Sequence, residues 1–134
     1  MGAWGTGPFE NDDAGDWLFE LEESRDGGAI LAALQEVTER EAGEELEAGE
    51  ATNAIAAAEI VAALHEFPLA DLPDKAREWV DAHEELEAAD WIPAALAAIK
   101  RVRKSSELKE LWDESKTPAK WYATLDDLVK RLNA

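Results

Sequence analysis

The sequence predicts an all-α protein, folded as a single-domain irregular or orthogonal bundle of six to seven helices that spans residues 1–134. Three observations indicate this fold class. Apolar side chains recur every three or four residues in the long segments, and no segment alternates like a strand. The chain has 134 residues and six tryptophans, enough for one domain with a substantial core. Glycine, proline, Asn and Asp residues stand where successive helices would begin or end.

The first ten residues lack helical periodicity, although they contain two aromatic side chains. Three glycines and Pro8 surround Trp4 and Phe9 in this stretch. Bulky apolar side chains favour burial even where the backbone has no regular period. We therefore expect residues 1–10 to form an ordered, non-helical wrap that packs Trp4 and Phe9 on the core.

The next residues predict two helices that begin after recognisable start signals. Asn11 can cap free N–H groups, and the carboxylates of Asp12 and Asp13 suit the positive end of a helix. A second helix follows Gly27 and Gly28. The apolar stripes of these two helices predict their buried positions, which are Ala14, Trp17, Leu18 and Leu21 in the first and Ile30, Leu31, Leu34 and Val37 in the second.

Residues 38–50 form an acidic stretch interrupted by Gly43 and Gly49, which predicts a loop. The following segment, about 51–66, is rich in alanine and carries Ile55, Ile60 and Val61. Small side chains on every face let neighbouring helices approach closely. We therefore expect this third helix to be the central element of the bundle.

The second half of the chain predicts four further helical segments. Asp90 is a candidate cap, with Pro93 in the first turn of its helix, and Ser106 and Thr117 are candidate caps for the last two segments. The expected buried stripes are Ala76, Trp79, Val80 and His83; Ile92, Leu96, Ile99 and Val102; Leu108, Leu111 and Trp112; and Trp121, Leu125, Leu128 and Leu132.

The charge is strongly negative and unevenly distributed. The net charge is -18; residues 1–99 carry 25 acidic and four basic side chains, whereas residues 100–134 carry six and nine. A field of this sign repels nucleic acid and anionic membranes and favours basic partners. The basic run at residues 100–104 is explained by its position at a helix C-terminus. With no cysteine and no long apolar run, we expect a cytoplasmic protein.

Metal or cofactor binding is not predicted. Residues 11–16 could hold a cation, but an EF-hand loop from Asn11 would need glycine where Asp16 stands, and helix capping explains these residues. His65 and His83 lack the spacing of zinc or carboxylate-bridged sites. We expect them to be core or rim side chains.

Glu59 is the polar residue within the apolar run Ala54–Leu64. A buried carboxylate there would need hydrogen-bond donors, which Arg77, tryptophan side chains or the N-terminal wrap could provide. Thr52, Glu59 and Glu66 are seven residues apart and could instead form a polar stripe that faces water. We favour the exposed position; if Glu59 is buried, it is a structural polar anchor.

The opening residues Met1-Gly2-Ala3-Trp4-Gly5, with Phe9, the Asn11-Asp12-Asp13-Ala14 run and Asp16-Trp17, resemble the signature of a bacterial family known only as domain of unknown function 4259. The segments Ala57-Ala58-Glu59 and Glu107-Leu108 with Glu110-Leu111-Trp112 are similar to that family as well. The resemblance implies a small stand-alone bacterial protein. It implies no catalytic residue.

These observations favour a non-enzymatic protein–protein interaction module with a basic partner, such as an immunity- or antitoxin-like protein that covers a basic effector. The alternatives are a small-ligand or metal-binding helical protein, or an enzyme with a site around Glu59, His65 and His83. The candidate interaction or anchor residues are Trp4, Phe9, Asn11, Asp12, Asp13, Trp17 and Glu59.

Overall fold

The computed structural model describes residues 7–24, 26–41 and 43–134, and within these ranges the chain forms seven α-helices and no strand. This confirms the predicted all-α fold class. A single-turn 3-10 helix, Ala88–Asp90, precedes the fifth α-helix. The α-helices are α1 (Asp12–Glu23), α2 (Gly28–Thr38), α3 (Ala48–Leu64), α4 (Asp74–Ala82), α5 (Ile92–Lys104), α6 (Glu107–Asp113) and α7 (Pro118–Leu132).

Helix α3 lies at the centre of the bundle, as its alanine content predicted. It contacts each of the other six α-helices. Every residue from Ala54 to Ala63 is buried. A helix that is apolar on all faces is stable only when it is surrounded, and the small alanine side chains let six neighbours pack on it. The other helices therefore form a single irregular layer around α3.

The apolar stripes of the outer helices supply the rest of the core, with corrections: the expected stripe residues Val80, His83, Ile92, Leu96 and Leu111 are only partly buried. Trp17, Leu21, Ile30 and Leu34 are buried as predicted, but Leu31 is 38% exposed. The buried residues of α2 are Ile30, Ala33, Leu34 and Val37, so the stripe is centred one position away from Leu31.

Two predicted helix starts are displaced. Helix α3 begins at Ala48 instead of 51, because the backbone N–H of Glu47 donates to the side chain of Glu50 and caps the first turn. The non-helical segment is thus shorter than the predicted 38–50. Asp90 is not the cap of α5: it lies in the 3-10 helix, and Trp91 immediately precedes α5, which carries Pro93 in its first turn as expected.

The acidic loop before α3 is held by two arginines. The Arg101 guanidinium donates to the carbonyls of Arg40, Glu41 and Glu44 at 2.7–3.0 Å. The Arg40 side chain donates to the carbonyl of Glu45 and pairs with Glu50. Nearby, Leu46 is buried in the core. The described part of this loop is therefore anchored to α5 and α3.

The described part of the N-terminal segment is non-helical and packs on the core. The backbone N–H of Glu10 donates to the carbonyl of Gly7 in a turn, and Pro8 is buried. Phe9 is half-buried against the core. Residues 7–10 of the predicted wrap are thus non-helical and adjoin the core, whereas the rest of it, with Trp4, lies outside the described residues.

Candidate interaction site on helix α1

Helix α1 begins with the capping arrangement that the sequence predicted. The Asn11 side chain accepts a hydrogen bond from the backbone N–H of Ala14 at 2.8 Å, and its amide donates to the carbonyl of Pro8. Asp12 and Asp13 lie in the first turn, where their charge is favourable at the positive end of the helix. These contacts fix the orientation of the helix relative to the segment before it.

The cap places one acidic face of α1 towards solvent. Asp16, Phe19, Glu20 and Glu23 follow at spacings of three and four residues, so they share a face, and all four are exposed. Phe19 is 58% exposed, the largest value among the big apolar side chains that the structure describes. Phe19 is therefore an exposed aromatic side chain on a face that otherwise carries carboxylates.

A shallow cleft lies along this face because Gly15 has no side chain. A Cβ atom at Gly15 would meet no other atom within 4 Å. The cleft is lined by the carboxylates of Asp12, Asp16 and Glu22, by the Phe19 ring and by Lys75 of α4. We call these five side chains, together with Asn11, Gly15 and Leu18, the α1 cleft.

The α1 cleft already holds one cation from its own chain. The Lys75 ammonium lies 4.8 Å from the centre of the Phe19 ring and 4.0 Å from a carboxylate oxygen of Glu22. A cation over an aromatic face is attracted by the electron density of the ring, and a nearby carboxylate adds a second attraction. The cleft thus combines the two features that bind an ammonium or guanidinium group.

The charge around the α1 cleft is poorly compensated. Between the residues that the structure describes, the ion pairs to the six carboxylates of α1 are limited to the contact of Lys75 with Glu22. Several other cations serve internal contacts, since Arg101 holds the acidic loop, Arg103 pairs with Asp126, and Arg131 pairs with Glu59. Among the described residues, the α1 face therefore carries more negative than positive charge.

The other predicted site residues of this segment differ in burial. Trp17 is 3% exposed and belongs to the core, so it offers no surface to a partner. Asp13 lies beside the first turn of α3, where a Cβ atom at Gly49 would be 3.7 Å from its carboxylate. Asn11 and Asp12 line the cleft.

Phe19, Gly15 and Lys75 are not among the site residues predicted from the sequence. The signal for Phe19 was present, because a bulky aromatic lies off the stripe formed by Ala14, Trp17, Leu18 and Leu21. Gly15, within the helix, indicated an open position. The approach of Lys75 could not be read from the sequence, because it depends on how α4 packs against α1.

Glu59 is completely buried, so the favoured prediction that it faces water is wrong. Its two carboxylate oxygens accept hydrogen bonds from Nη1 and Nη2 of Arg131 at 2.7 and 3.0 Å. Burial raises the pKa of Glu59, and the hydrogen bonds and charge of Arg131 oppose that rise. The donor is a residue of α7 that the sequence analysis did not consider, and Glu59 is the structural anchor offered as the alternative.

Glu59, His65 and His83 each have a different hydrogen-bond partner. His65 Nε2 contacts the carbonyl of Ala134 at 2.8 Å, and His83 Nδ1 contacts the carbonyl of Trp79 at 2.7 Å. The His83 ring also stacks on Trp79. Among the side chains in the described ranges, no hydrogen bond joins the three residues, and no group of three or more His, Asp or Glu side chains is placed to hold a metal ion.

Fold and site together define a small helical protein with an acidic surface that presents an aromatic ring. Residues 2–124 match the family described as Domain of unknown function (DUF4259), and the chain belongs to this family. The predicted family resemblance is thereby confirmed. No curated protein and no solved structure matches the chain. Within the described ranges, none of the helices has the length and apolar character needed to cross a bilayer.

Proposed function

We propose that the protein is a non-enzymatic interaction module that binds a basic partner protein through the α1 cleft. The contact of Lys75 with the Phe19 ring and with Glu22 carries this proposal. The lysine or arginine side chains of a partner could make contacts of the same kind. The remaining carboxylates, Asp12 and Asp16, are then available for further cations.

Physical magnitudes support a charge-driven association with an aromatic anchor. An exposed cation–π contact contributes about 0.5–1 kcal/mol and more once water is excluded. Opposite charge on the two partners raises the association rate far above that of a neutral pair. The net charge of -18 would therefore accelerate the encounter, while Phe19 provides an apolar contact at the centre of the interface.

One specific form of this function is an immunity- or antitoxin-like protein that covers a basic effector. The acidic surface suits this form, since neutralising a basic effector requires fast and tight association. A gene for a toxin-like basic protein next to the gene for this chain would support it. A neighbourhood without such a gene in related genomes would count against it.

A pull-down with matched variants tests the proposed function. Phe19→Ser removes the exposed ring, and Leu31→Ser is the control because Leu31 is also an exposed apolar residue but lies on α2. We expect the wild type and Leu31→Ser to retain the same basic protein at low salt and to lose it at high salt. Phe19→Ser should retain about two- to fivefold less of it at low salt. Equal retention by all three proteins would refute binding through the α1 cleft.

A further inference from the structure

A second concave surface lies between the end of α3 and helix α4, and the α1 cleft does not include it. Its volume is about 420 Å³, within the usual range of binding sites in proteins. The floor is apolar and consists of Ala63, Leu64, Leu72 and Val80, with Pro68 beside them. We call this surface the α3–α4 groove.

The rim of the α3–α4 groove is acidic. Glu66, Asp81 and Glu84 stand around it with a single cation, Arg77. All four of these side chains are exposed. In the part of the chain that the structure describes, no ion pair joins Arg77 to these three carboxylates. An apolar floor within a negative rim is complementary to an apolar side chain flanked by basic residues.

The chain at one end of the groove is held in a costly conformation. Glu66 has a φ of 73°, in the left-handed region where a residue with a side chain is disfavoured. This conformation ends α3 and lets the backbone N–H of Phe67 donate to the carbonyl of Ala62 at 2.9 Å. Glycine would adopt this backbone conformation without strain, but it would not add a carboxylate to the rim as Glu66 does.

The turn at Glu66 also fixes the backbone of the next residue, Phe67. The carbonyl of Phe67 accepts a hydrogen bond from Arg131, whose guanidinium is itself bound to the buried Glu59. The backbone of Phe67 is therefore bonded on both sides while its side chain is 42% exposed. The Phe67 ring packs 5.5 Å from that of His65, and Phe67 is not among the residues that line the groove.

We infer that the α3–α4 groove binds an amphipathic basic segment of a partner protein, with one bulky apolar side chain on the floor and lysine or arginine side chains on the acidic rim. This inference rests on the proposed function for the basic character of the partner, but it assigns the binding of that partner to a different surface. Helix α4 lies between the two surfaces, with Lys75 at the α1 cleft and Val80 and Asp81 at the groove.

The probe for this inference is a short synthetic peptide of leucine and lysine arranged with helical periodicity. Its affinity for the full chain is measured by fluorescence anisotropy at roughly 0.05 M and roughly 0.2 M salt. Three variants each remove three carboxylates. The groove variant is Glu66→Gln, Asp81→Asn and Glu84→Gln; the α1 variant is Asp12→Asn, Asp16→Asn and Glu22→Gln; and the control variant is Glu36→Gln, Glu39→Gln and Glu114→Gln.

The groove variant should weaken peptide binding about tenfold at low salt, whereas the charge-matched control should change it by less than about twofold because distant exposed charges are screened. Val80→Ser, which alters the floor without changing the charge, should weaken binding about fivefold. On titration of the wild type, the methyl signals of Leu64, Leu72 and Val80 should shift. Thermal unfolding of each variant verifies that it is folded.

The outcomes separate this inference from the proposed function. Equal weakening by the groove and control variants, or unshifted Leu64 and Val80 methyl signals, would overturn the groove. Loss of the peptide in the α1 variant alone would also overturn the groove, while supporting the α1 cleft. Loss in the groove variant, with full affinity in the α1 variant, would support the groove and count against the α1 cleft as the main binding surface.

Discussion

The indole ring of Trp91 lies directly against Gly27, so closely that a Cβ atom at Gly27 would be 2.8 Å from two of its ring carbons. Gly27 has a φ of 80° and immediately precedes α2. Trp91 immediately precedes α5. Two helix starts that are far apart in sequence therefore pack on each other, and they do so because Gly27 has neither a side chain nor a restriction on positive φ.

Gly27→Ala should destabilise the protein by about 1–3 kcal/mol. The strain of a side chain at positive φ and the displacement of the Trp91 ring act together. Urea denaturation followed by circular dichroism measures the change.

The matched control is Gly15→Ala. Gly15 is inside α1, and its added methyl group would meet no other atom within 4 Å. Alanine should therefore stabilise the helix by about 0.5–1 kcal/mol. If both variants lowered the stability equally, the close approach of Trp91 would not explain the effect at Gly27.

Arg131→Met should reveal the cost of a buried carboxylate without its partner. The substitution keeps an apolar chain of similar length but removes both hydrogen bonds to Glu59. Breaking a buried ion pair on one side typically costs about 3–5 kcal/mol at neutral pH. The double variant Glu59→Gln with Arg131→Met should recover part of this loss, because no charge is then left in the core. Urea denaturation of the single and double variants measures both effects.

The cost of Arg131→Met should depend on pH in a defined direction. Burial raises the pKa of Glu59 in the folded protein above the ordinary value of 4.5, and removing Arg131 raises that pKa further. A carboxyl with a raised folded pKa stabilises fully below its unfolded pKa, and this contribution is lost as the pH rises through the folded pKa. The gap to the wild type should therefore widen as the pH rises above the folded pKa of Glu59 in the wild type, where the variant still loses stability and the wild type no longer does. A gap independent of pH would contradict this account.

Arg101→Lys should loosen the acidic loop although it keeps the charge. The planar guanidinium reaches three carbonyls of the loop, which an ammonium group cannot do from one position. We expect faster cleavage after Glu41, Glu44 and Glu45 by a glutamate-specific protease. Lys100→Arg serves as the control, because Lys100 is a neighbouring exposed residue. Unchanged cleavage in Arg101→Lys would show that the loop is held by other contacts.

The sequence predicted those features of the fold that depend on local pattern. Stripes such as Trp17 with Leu21, caps such as Asn11, and the alanine-rich centre of α3 each follow from the spacing or chemistry of neighbouring residues. The boundary of α3 was displaced because Glu47 and Glu50 form a cap that resembles ordinary acidic loop sequence. Leu31 is exposed because α2 is rotated about its axis so that Ile30, Ala33 and Leu34 are its buried residues.

The candidate site was harder to predict because its contacts join distant segments. Glu59 belongs to a helix buried on all sides, so no exposed stripe exists on which it could lie, and its donor is 72 residues away. Arg131 also bonds to Asp127, one turn earlier, which resembles an ordinary surface pair in the sequence. Similarly, Lys75 reaches Phe19 through the packing of α4 on α1.

Lys75→Ala tests the α1 cleft most directly. This substitution should strengthen the binding of a basic peptide, whereas most substitutions weaken binding. The Lys75 ammonium lies over the Phe19 ring and beside the Glu22 carboxylate. A cation of the partner would contact the same two groups. Removing it vacates a cation–π position worth about 0.5–1 kcal/mol, so an oligolysine peptide should bind about two- to fivefold more tightly. Chemical shifts of the Phe19 ring during titration measure the affinity. Lys120→Ala removes the same charge at an exposed position on α7 and is the control. Should both variants bind the peptide equally well, the gain would reflect net charge, and the Phe19 ring would not be a cation-binding position.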